Sequence, residues 1–284
     1  MKNKIILGSA NFEQTYGVKK NFIKRKEIKK ILNFAVKKKI NLIDTAPVYG
    51  RAEKIIGSLG KGKFKIISKI PQKNEKTYTK NWLEKKVVAS LKNLKIKKFE
   101  CLLIHDVNIL FSKYNHIIYK DLRRIKKKSL TKKIGISIYD FESLNRIFKH
   151  FKFDLVQVPF NIFDQRLISQ GWLKKLKKLN IEVHVRSIFL QGTLLLKHKQ
   201  LPTKLKKYEN LWIIWENWLR KNKITALQAC LSFVRNQNKI DRIVVGFNNK
   251  SQLDKILKIK LIKSNSLFND MSIKNRKLID PRQW

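Results

Sequence analysis

The chain has 284 residues, of which 43% are hydrophobic and 10% aromatic, enough apolar side chains for a sizeable core. This composition excludes an intrinsically disordered chain, and two cysteines are too few for a disulfide scaffold. The formal net charge is +45, and no apolar run approaches the roughly 20 residues that a membrane-spanning helix needs.

Short apolar runs rich in Ile, Leu and Val alternate along the chain with stretches of helical periodicity. The runs predict eight strands, at residues 4–9, 40–44, 64–69, 99–105, 133–137, 154–158, 181–187 and 241–246. The periodic stretches predict helices at 24–39, 52–59, 80–94, 114–128, 140–150, 168–179, 225–237 and 250–258. A further helix, 208–221, carries Trp212, Trp215 and Trp218, whose helical spacing is typical of a buried face.

This alternation predicts an α/β protein in which eight strands and their helices form a (β/α)₈ barrel, a fold of about 250 residues. We expect one domain over residues 1–284, in which the non-periodic segment 261–284 lies over the barrel as an ordered tail anchored by Trp284. A doubly wound open sheet is the alternative. That fold usually carries Gly-x-Gly-x-x-Gly after its first strand, and here the first strand is followed by Gly8-Ser9-Ala10-Asn11.

The positive charge comes from 53 lysines and 12 arginines spread over most of the predicted helices. Its densest stretches, 19–30, 120–133 and 174–178, fall on helical periodicity, so we interpret them as solvated helix faces. No nucleic-acid module accompanies them. We therefore expect no specific nucleic-acid partner. Two isolated cysteines fit a reducing, cytoplasmic setting. We expect neither a signal peptide nor a membrane partner, and the oligomeric state is left open.

Four residues at the carboxyl ends of neighbouring strands could carry chemistry, because reactive groups of such barrels lie at that face. The second strand ends in Asp44 and its loop carries Tyr49, the third ends in Lys69, and the fourth in His105. A phenol with a pKa near 10 is a weak acid at neutral pH, but a neighbouring ammonium favours the phenolate and lowers that pKa. Taken singly, each residue also has an ordinary structural explanation.

The segments that hold these residues are DTAPVYG at 44–50, ISK at 67–69 and LLIHD at 102–106. In order and spacing they resemble the catalytic motifs of the aldo-keto reductase superfamily. The resemblance covers nearly the whole chain, continuing through GIS at 135–137, VQVPFN at 156–161, RSIFLQG at 186–192 and VVGFNNKSQL at 244–253.

The resemblance implies a (β/α)₈ barrel that binds NADP(H) in an extended pose without a Rossmann motif. Carried over by position, Tyr49 is expected to be the general acid, Lys69 and Asp44 the pair that tunes it, and His105 the residue that orients the carbonyl. The coenzyme positions are expected to be Ser137 and Gln157 at the carboxamide, Ser187 to Gly192 over the pyrophosphate, and Gly246, Asn248 and Gln252, of which the last two meet the adenosine ribose and its 2′-phosphate.

The chain departs from the family pattern at three places. Ile138 stands where many relatives have a polar residue, and Arg186 replaces an aromatic residue that in some branches stacks on nicotinamide. Near the adenosine, Gln252 replaces a common Arg and Ile256 a common Asn, which weakens the expectation of strict NADPH preference and leaves NAD(H) open. Lys250 could compensate electrostatically.

The resemblance thus implies an oxidoreductase that reduces an aldehyde or ketone of modest size, including sugar-derived carbonyls, with NAD(P)H. Tyr16, Phe160 and Phe189 follow strand ends and are candidates for the substrate pocket, with core packing as the alternative. The histidines and cysteines lack metal-ligand spacing, so no metal is expected. Two other functions stay open: a non-catalytic NADP(H)-binding regulatory barrel, and a basic protein that binds polyanions.

Overall fold

The computed structural model describes residues 4–15, 17–18, 22–71, 81–262, 268 and 271–284. Within them eight parallel strands close into a barrel in chain order, each paired with the next and the last with the first. They are β1 Ile5–Gly8, β2 Leu42–Asp44, β3 Lys65–Ile70, β4 Phe99–Ile104, β5 Thr131–Ser137, β6 Leu155–Pro159, β7 Glu182–Arg186 and β8 Arg242–Val245. The predicted barrel is confirmed.

Helices follow the strands and cover the outside of the barrel. They are α1 Arg25–Lys37, α2 Ala52–Gly60, α3 Trp82–Leu94, α4 Asn115–Lys127, α5 Ser143–His150, α6 Arg166–Ser169, α7 Trp172–Lys178, α8 Glu209–Lys221, α9 Ala226–Arg235, α10 Lys250–Lys258 and α11 Arg276–Ile279. The helix predicted at 168–179 is two helices, because Gly171 adopts a φ of 73° between them. A left-handed residue cannot continue an α-helix.

The interior of the barrel is built by every second residue of the strands, because strand side chains alternate between two faces. One buried apolar cluster consists of Ile6, Leu42, Ile67, Cys101, Leu103 and Leu155. Counting two residues onward along a strand from Leu42, Ile67, Leu103 and Leu155 gives Asp44, Lys69, His105 and Gln157. The inward-facing positions are therefore apolar in the middle of the barrel and polar at its carboxyl end, so these four side chains point inward.

One glycine is required by the close approach of strands. A Cβ on Gly135 of β5 would lie 2.3 Å from the carbonyl oxygen of Leu155 and 2.8 Å from Cδ2 of Leu103. Both distances are too short for non-bonded heavy atoms. Gly135 therefore allows β5 to lie close to its neighbours two residues before Ser137, which faces the cavity described below.

The described part of the C-terminal segment packs on the barrel as an ordered tail. The backbone N–H of Ile273 donates to the carbonyl of Phe163, and the indole N–H of Trp284 donates to the carbonyl of Leu278 at 3.1 Å. Trp284 also packs against the main core. Among the helices described here, none is long and apolar enough to cross a bilayer.

Candidate active site

A buried ion pair lies where β2 and β3 end. The ammonium Nζ of Lys69 donates to Oδ1 of Asp44 at 2.6 Å and to the carbonyl of Thr45 at 3.0 Å. Both side chains are almost completely buried, at 2% and 6% exposure. Because a buried charge without a partner is costly, the two charges hold each other in position.

Tyr49 lies beside this pair in the loop that joins β2 to α2. Backbone hydrogen bonds from Tyr49 to Ala46 and from Ala52 to Tyr49 shape the loop. The Lys69 ammonium lies 5.1 Å from the centroid of the Tyr49 ring. The His105 ring stands edge-on to the Tyr49 ring, with centroids 6.3 Å apart and planes at 85°. The structure thus brings together all four residues predicted from the strand ends.

Burial raises the pKa of the Tyr49 phenol above its ordinary value, since the phenolate would be poorly solvated there. The charge of Lys69 acts in the opposite direction and that of Asp44 reinforces the rise. The sequence-based expectation of a net lowering is therefore wrong for this structure: Lys69 acts as expected, but desolvation has the larger effect. The phenol is held firmly in its protonated form, which is the form that an acid catalyst requires.

The pKa of Lys69 is raised above its ordinary value. Burial alone would lower that pKa, but the charge of Asp44 and the neighbouring Tyr49 outweigh it. Asp44 is itself fixed by the side-chain amide of Gln157, whose Nε2 donates to Oδ2 at 2.7 Å. Lys69 therefore stays charged at neutral pH and presents a fixed positive charge to Tyr49.

The imidazole of His105 is held neutral. Burial, and then the positive charges of Lys69 and Arg186, lower the pKa of His105 from 6.5 to about 4. A neutral imidazole can donate one hydrogen bond and accept another. It can therefore hydrogen-bond a polar ligand atom without bringing a charge.

We expect His105 to take up its proton near pH 4 in the folded chain, with no ionisation of this ring between about pH 5.5 and 8. An NMR titration of the histidine rings, assigned with His105→Asn, checks this, and a midpoint near 6.5 would contradict it. The unfolded chain binds this proton first, so the imidazole lowers the free energy of unfolding as pH falls from about 6.5 towards 4. Between about pH 6.5 and 4, the free energy of unfolding measured with urea should therefore fall less for His105→Asn than for the wild type.

A cavity of about 600 Å³ opens beside the four residues and runs over the carboxyl ends of the strands. Its wall includes seven further residues of the predicted site, namely Ser137, Ser187, Phe189, Gly192, Gly246, Asn248 and Gln252. At Gly192 and Gly246 a Cβ would meet nothing within 4 Å, so the space beside their backbones is open. Ser187 adopts a φ of 58° and Gln191 a φ of 57°, left-handed conformations that are uncommon outside glycine and often occur at functional sites.

Two predicted residues do not reach the cavity wall. Gln157 is fully buried behind it and links Asp44 to Ser137, whose hydroxyl donates to Oε1 of Gln157 at 3.2 Å. Phe160 is packed in the core against Phe233, with ring centroids 4.8 Å apart, so core packing is the correct interpretation for it. Tyr16 lies outside the described residues.

The far end of the cavity lies at the start of α10. Asn249 caps this helix by accepting the N–H of Gln252 at 2.9 Å, and the N–H of Asn248 donates to Oε1 of Gln252 at 2.8 Å. Lys255, one turn into the helix, lines the cavity. The cation suggested from sequence, Lys250, lies instead over the ring of Phe34 at 5.3 Å.

The two buried tryptophans of α8 hold the loop that follows β7. The indole N–H of Trp212 donates to the carbonyl of Thr193 at 3.0 Å, and that of Trp215 to the carbonyl of Leu194 at 3.1 Å. The buried face predicted from the helical spacing is confirmed for these two residues, whereas Trp218 is only partly buried. This face also anchors the segment Leu190–Leu195, which contains Gly192.

Sequence reasoning missed several polar residues of the cavity, among them Asn11 and Lys255. Asn11 lies just beyond β1, and its side-chain amide donates to the carbonyl of Phe247 and to Oδ1 of Asn248 at 3.1 Å. Its position after the first strand could have indicated it. Lys255 could have been found by helical spacing, since it lies three residues after Gln252 on the same helix.

Comparison with known proteins decides the family. The sequence model of the aldo/keto reductase family matches residues 4–270. The chain belongs to the aldo/keto reductase family. Members of this family are oxidoreductases built on a (β/α)₈ barrel, and the family as a whole uses NAD(P)H.

Individual aldo/keto reductases show how far the similarity extends. The chain is 25% identical to the D-arabinose 1-dehydrogenase of Saccharomyces cerevisiae over 199 residues, which cover 60% of the chain and 58% of that enzyme. Its fold matches an aldo-keto reductase from Bacillus halodurans in its holo form, with a TM-score of 0.76, 14% identity and coverage of 99% and 95%. A glycerol dehydrogenase from Gluconobacter oxydans matches with a TM-score of 0.69, 19% identity and coverage of 94% and 90%.

The residues of the cavity fit a nicotinamide dinucleotide. Open space beside Gly192 and Gly246 allows an extended ligand to lie against the backbone. The end at α10 offers amides and the cation Lys255, which suit a phosphorylated adenosine, while the other end offers Tyr49 and His105. The polar groups of the cavity therefore match the two ends of such a coenzyme: a cation and amides for the adenosine phosphate, and the Tyr49 and His105 side chains beside the nicotinamide.

Proposed function

We propose that this aldo/keto reductase reduces an aldehyde or ketone to an alcohol with NADPH, with NADH as the alternative coenzyme. The observation that carries the proposal is the position of the Tyr49 phenol, which lies beside the buried Lys69–Asp44 pair on the wall of a cavity that fits the coenzyme. A carbonyl oxygen placed at this point would meet a hydrogen-bond donor backed by a fixed positive charge.

When bound, the nicotinamide supplies a hydride to the carbonyl carbon. The residues of the chain act on the oxygen. Tyr49 donates its proton as negative charge develops there, and Lys69 stabilises the phenolate that is left. Asp44 keeps Lys69 in place, and the neutral His105 hydrogen-bonds the carbonyl oxygen to orient it.

The coenzyme would be held by residues along the cavity. We assign Ser137 to the carboxamide, Ser187 to Gly192 and Gly246 to the pyrophosphate region, and Asn248 and Gln252 to the adenosine ribose and its 2′-phosphate. Gln157 acts from behind the wall, because its amide is bonded to Asp44 and Ser137. We assign the 2′-phosphate contact to Lys255 and not to Lys250, because only Lys255 of the two lines the cavity.

The substrate is proposed to be a small carbonyl compound, including sugar- and polyol-derived ones. The relatives named D-arabinose 1-dehydrogenase and glycerol dehydrogenase support this class. We place the reaction in the cytoplasm, because both cysteines, Cys101 and Cys230, are free and buried, as suits a reducing compartment.

Tryptophan fluorescence titration with NADPH and NADH, followed by turnover with a panel of carbonyls, tests the proposal. We expect saturable coenzyme binding and coenzyme-dependent reduction. Lys255→Gln should raise the Kd for NADPH about three- to fivefold at low salt, as expected for an exposed charge, and leave that for NADH nearly unchanged. Lys250→Gln is the matched control and should alter neither.

Coenzyme binding without reduction of any carbonyl would favour a non-catalytic regulatory barrel. Absence of coenzyme binding, together with steeply salt-dependent RNA affinity, would favour the polyanion-binding alternative.

A further inference from the structure

Arg186 places a guanidinium in the wall of the cavity on the side of the catalytic residues. It is the last residue of β7, and strand alternation puts it on the inward face. It lines the cavity together with Tyr49, His105 and Tyr139. An arginine at this place introduces a charge where some branches of the family have an aromatic ring.

The guanidinium is held in a fixed position. Its Nη2 donates to the carbonyl of Ile138 at 2.9 Å, its Nη1 to Oγ of Ser187 at 3.4 Å, and its Cζ lies 3.9 Å from the centroid of the Tyr139 ring. The Tyr139 ring is held in turn by Arg282 of the C-terminal tail, whose Cζ is also 3.9 Å from the centroid. Arg186 is therefore preorganised before any ligand arrives.

Arg282 is itself fixed by a carboxylate. Its Nε and Nη2 donate to Asp280 at 2.9 Å and 2.6 Å. The C-terminal tail therefore helps to position Arg186, because Arg282 of the tail holds the Tyr139 ring that the Arg186 guanidinium contacts.

The charge of Arg186 is not neutralised by a carboxylate. Among the described residues no Asp or Glu oxygen lies within 4.0 Å of its nitrogens, whereas Lys69 is paired with Asp44. The described protein groups accept two of the five N–H donors that a guanidinium carries. Donors remain for a ligand, and a fork of parallel N–H groups suits carboxylate and phosphate oxygens.

The position of this charge favours the substrate over the coenzyme as its partner. The shorter hydrogen bond of the guanidinium, to Ile138 at 2.9 Å, and its contact with the Tyr139 ring both lie beyond the end of β5. Its longer bond, at 3.4 Å, goes to the neighbouring Ser187. Its charge also reaches the reaction centre, where it acts to lower the pKa of both Tyr49 and His105.

We propose that Arg186 binds an anionic group of the substrate, so that the carbonyl reduced here belongs to a carboxylate- or phosphate-bearing molecule. This rests on the proposed carbonyl reduction at Tyr49. An oxo acid or a phosphorylated aldose has the required chemistry: a carbonyl for Tyr49 and His105, and an oxyanion for Arg186. The reaction that produces this substrate must then be one whose product carries both a carbonyl and a carboxylate or phosphate group.

Paired substrates test this directly. We would measure kcat/KM for 4-formylbenzoate against its methyl ester, for succinate semialdehyde against its methyl ester, and for glyceraldehyde 3-phosphate against glyceraldehyde. The readout is the ratio of kcat/KM for the anionic substrate to kcat/KM for its neutral partner. An effect of a substitution on hydride transfer that is common to both substrates cancels in this ratio. For the wild type we expect at least one pair to favour the anion by about tenfold or more, as expected for a charge-assisted hydrogen bond.

Arg186→Gln should lower that ratio by about tenfold or more, and Arg186→Lys, which keeps the charge but loses the fork, should lower it less. The matched control is Arg146→Gln, which removes a guanidinium that rests on the ring of Phe111 at 4.4 Å outside the cavity wall. Its ratio should stay within about twofold of the wild type. If Arg186→Gln does not fold, Arg186→Lys provides the decisive comparison.

The outcomes separate the two proposals. Turnover of neutral carbonyls without preference for any anionic partner overturns the role of Arg186 and leaves carbonyl reduction standing. A ratio unchanged in Arg186→Gln, with NADPH affinity weakened about tenfold, makes Arg186 a coenzyme ligand and also overturns it. Absence of turnover with every substrate, despite coenzyme binding, contradicts the reduction itself and the inference with it.

Discussion

Tyr49→Phe is expected to lower kcat for carbonyl reduction by about a thousandfold, the typical contribution of a positioned acid. The variant keeps the ring that contacts Lys69 and His105 but has no proton to donate when charge develops on the carbonyl oxygen. The coenzyme Kd should change by less than about twofold, since the hydroxyl is assigned to the carbonyl and not to the coenzyme. Steady-state rates and fluorescence titration measure the two quantities.

Tyr208→Phe is the control for loss of a tyrosine hydroxyl, because Tyr208 packs on the outside of the core, away from the cavity wall. It should retain the wild-type rate. Retention of most of the rate by Tyr49→Phe would remove the phenol from the assigned role.

Lys69→Met should reduce both activity and stability. Tyr49 would lose the charge that stabilises its phenolate, so we expect kcat to fall by about a hundredfold or more. The carboxylate of Asp44, almost completely buried, would also lose its partner, and breaking such a pair costs about 3–5 kcal/mol. Urea unfolding and initial rates separate the two effects.

The double variant Lys69→Met with Asp44→Asn distinguishes catalysis from folding. Removing both charges should restore most of the free energy of unfolding, because no unpaired buried charge remains. Activity should stay as low as in the single variant. If activity recovered together with stability, Lys69 would be a structural residue only.

The barrel could be predicted because each strand has an unambiguous local signal. Apolar runs of five to seven residues, bounded by turns and separated by amphipathic helices, allow few other topologies. The same alternation places Asp44, Lys69 and His105 on the inward face, so their convergence also follows from local patterns. Tyr49 is less constrained, because it lies in a loop and was located by its motif.

Other features depend on tertiary packing that the sequence does not display. Strand alternation directs the side chain of Gln157 inward, as it does that of Lys69. Its amide nevertheless hydrogen-bonds Asp44 and Ser137, which keeps Gln157 behind the cavity wall. Phe160 lies immediately beyond a strand, where a pocket residue was expected, but its ring stacks on Phe233 of a distant helix. The pKa of Tyr49 likewise depends on tertiary packing, because burial raises it by more than the charge of Lys69 lowers it.

Transfer of deuterium from NADPH that carries deuterium at both positions of the nicotinamide C4 tests most directly whether Tyr49 completes carbonyl reduction in this cavity. At equal coenzyme occupancy, the wild type should form an alcohol that carries one deuterium on the former carbonyl carbon, whereas Tyr49→Phe should form about a thousandfold less of it in the same time. An unlabelled alcohol from the wild type, or equal transfer by the two proteins, would contradict the proposed reaction.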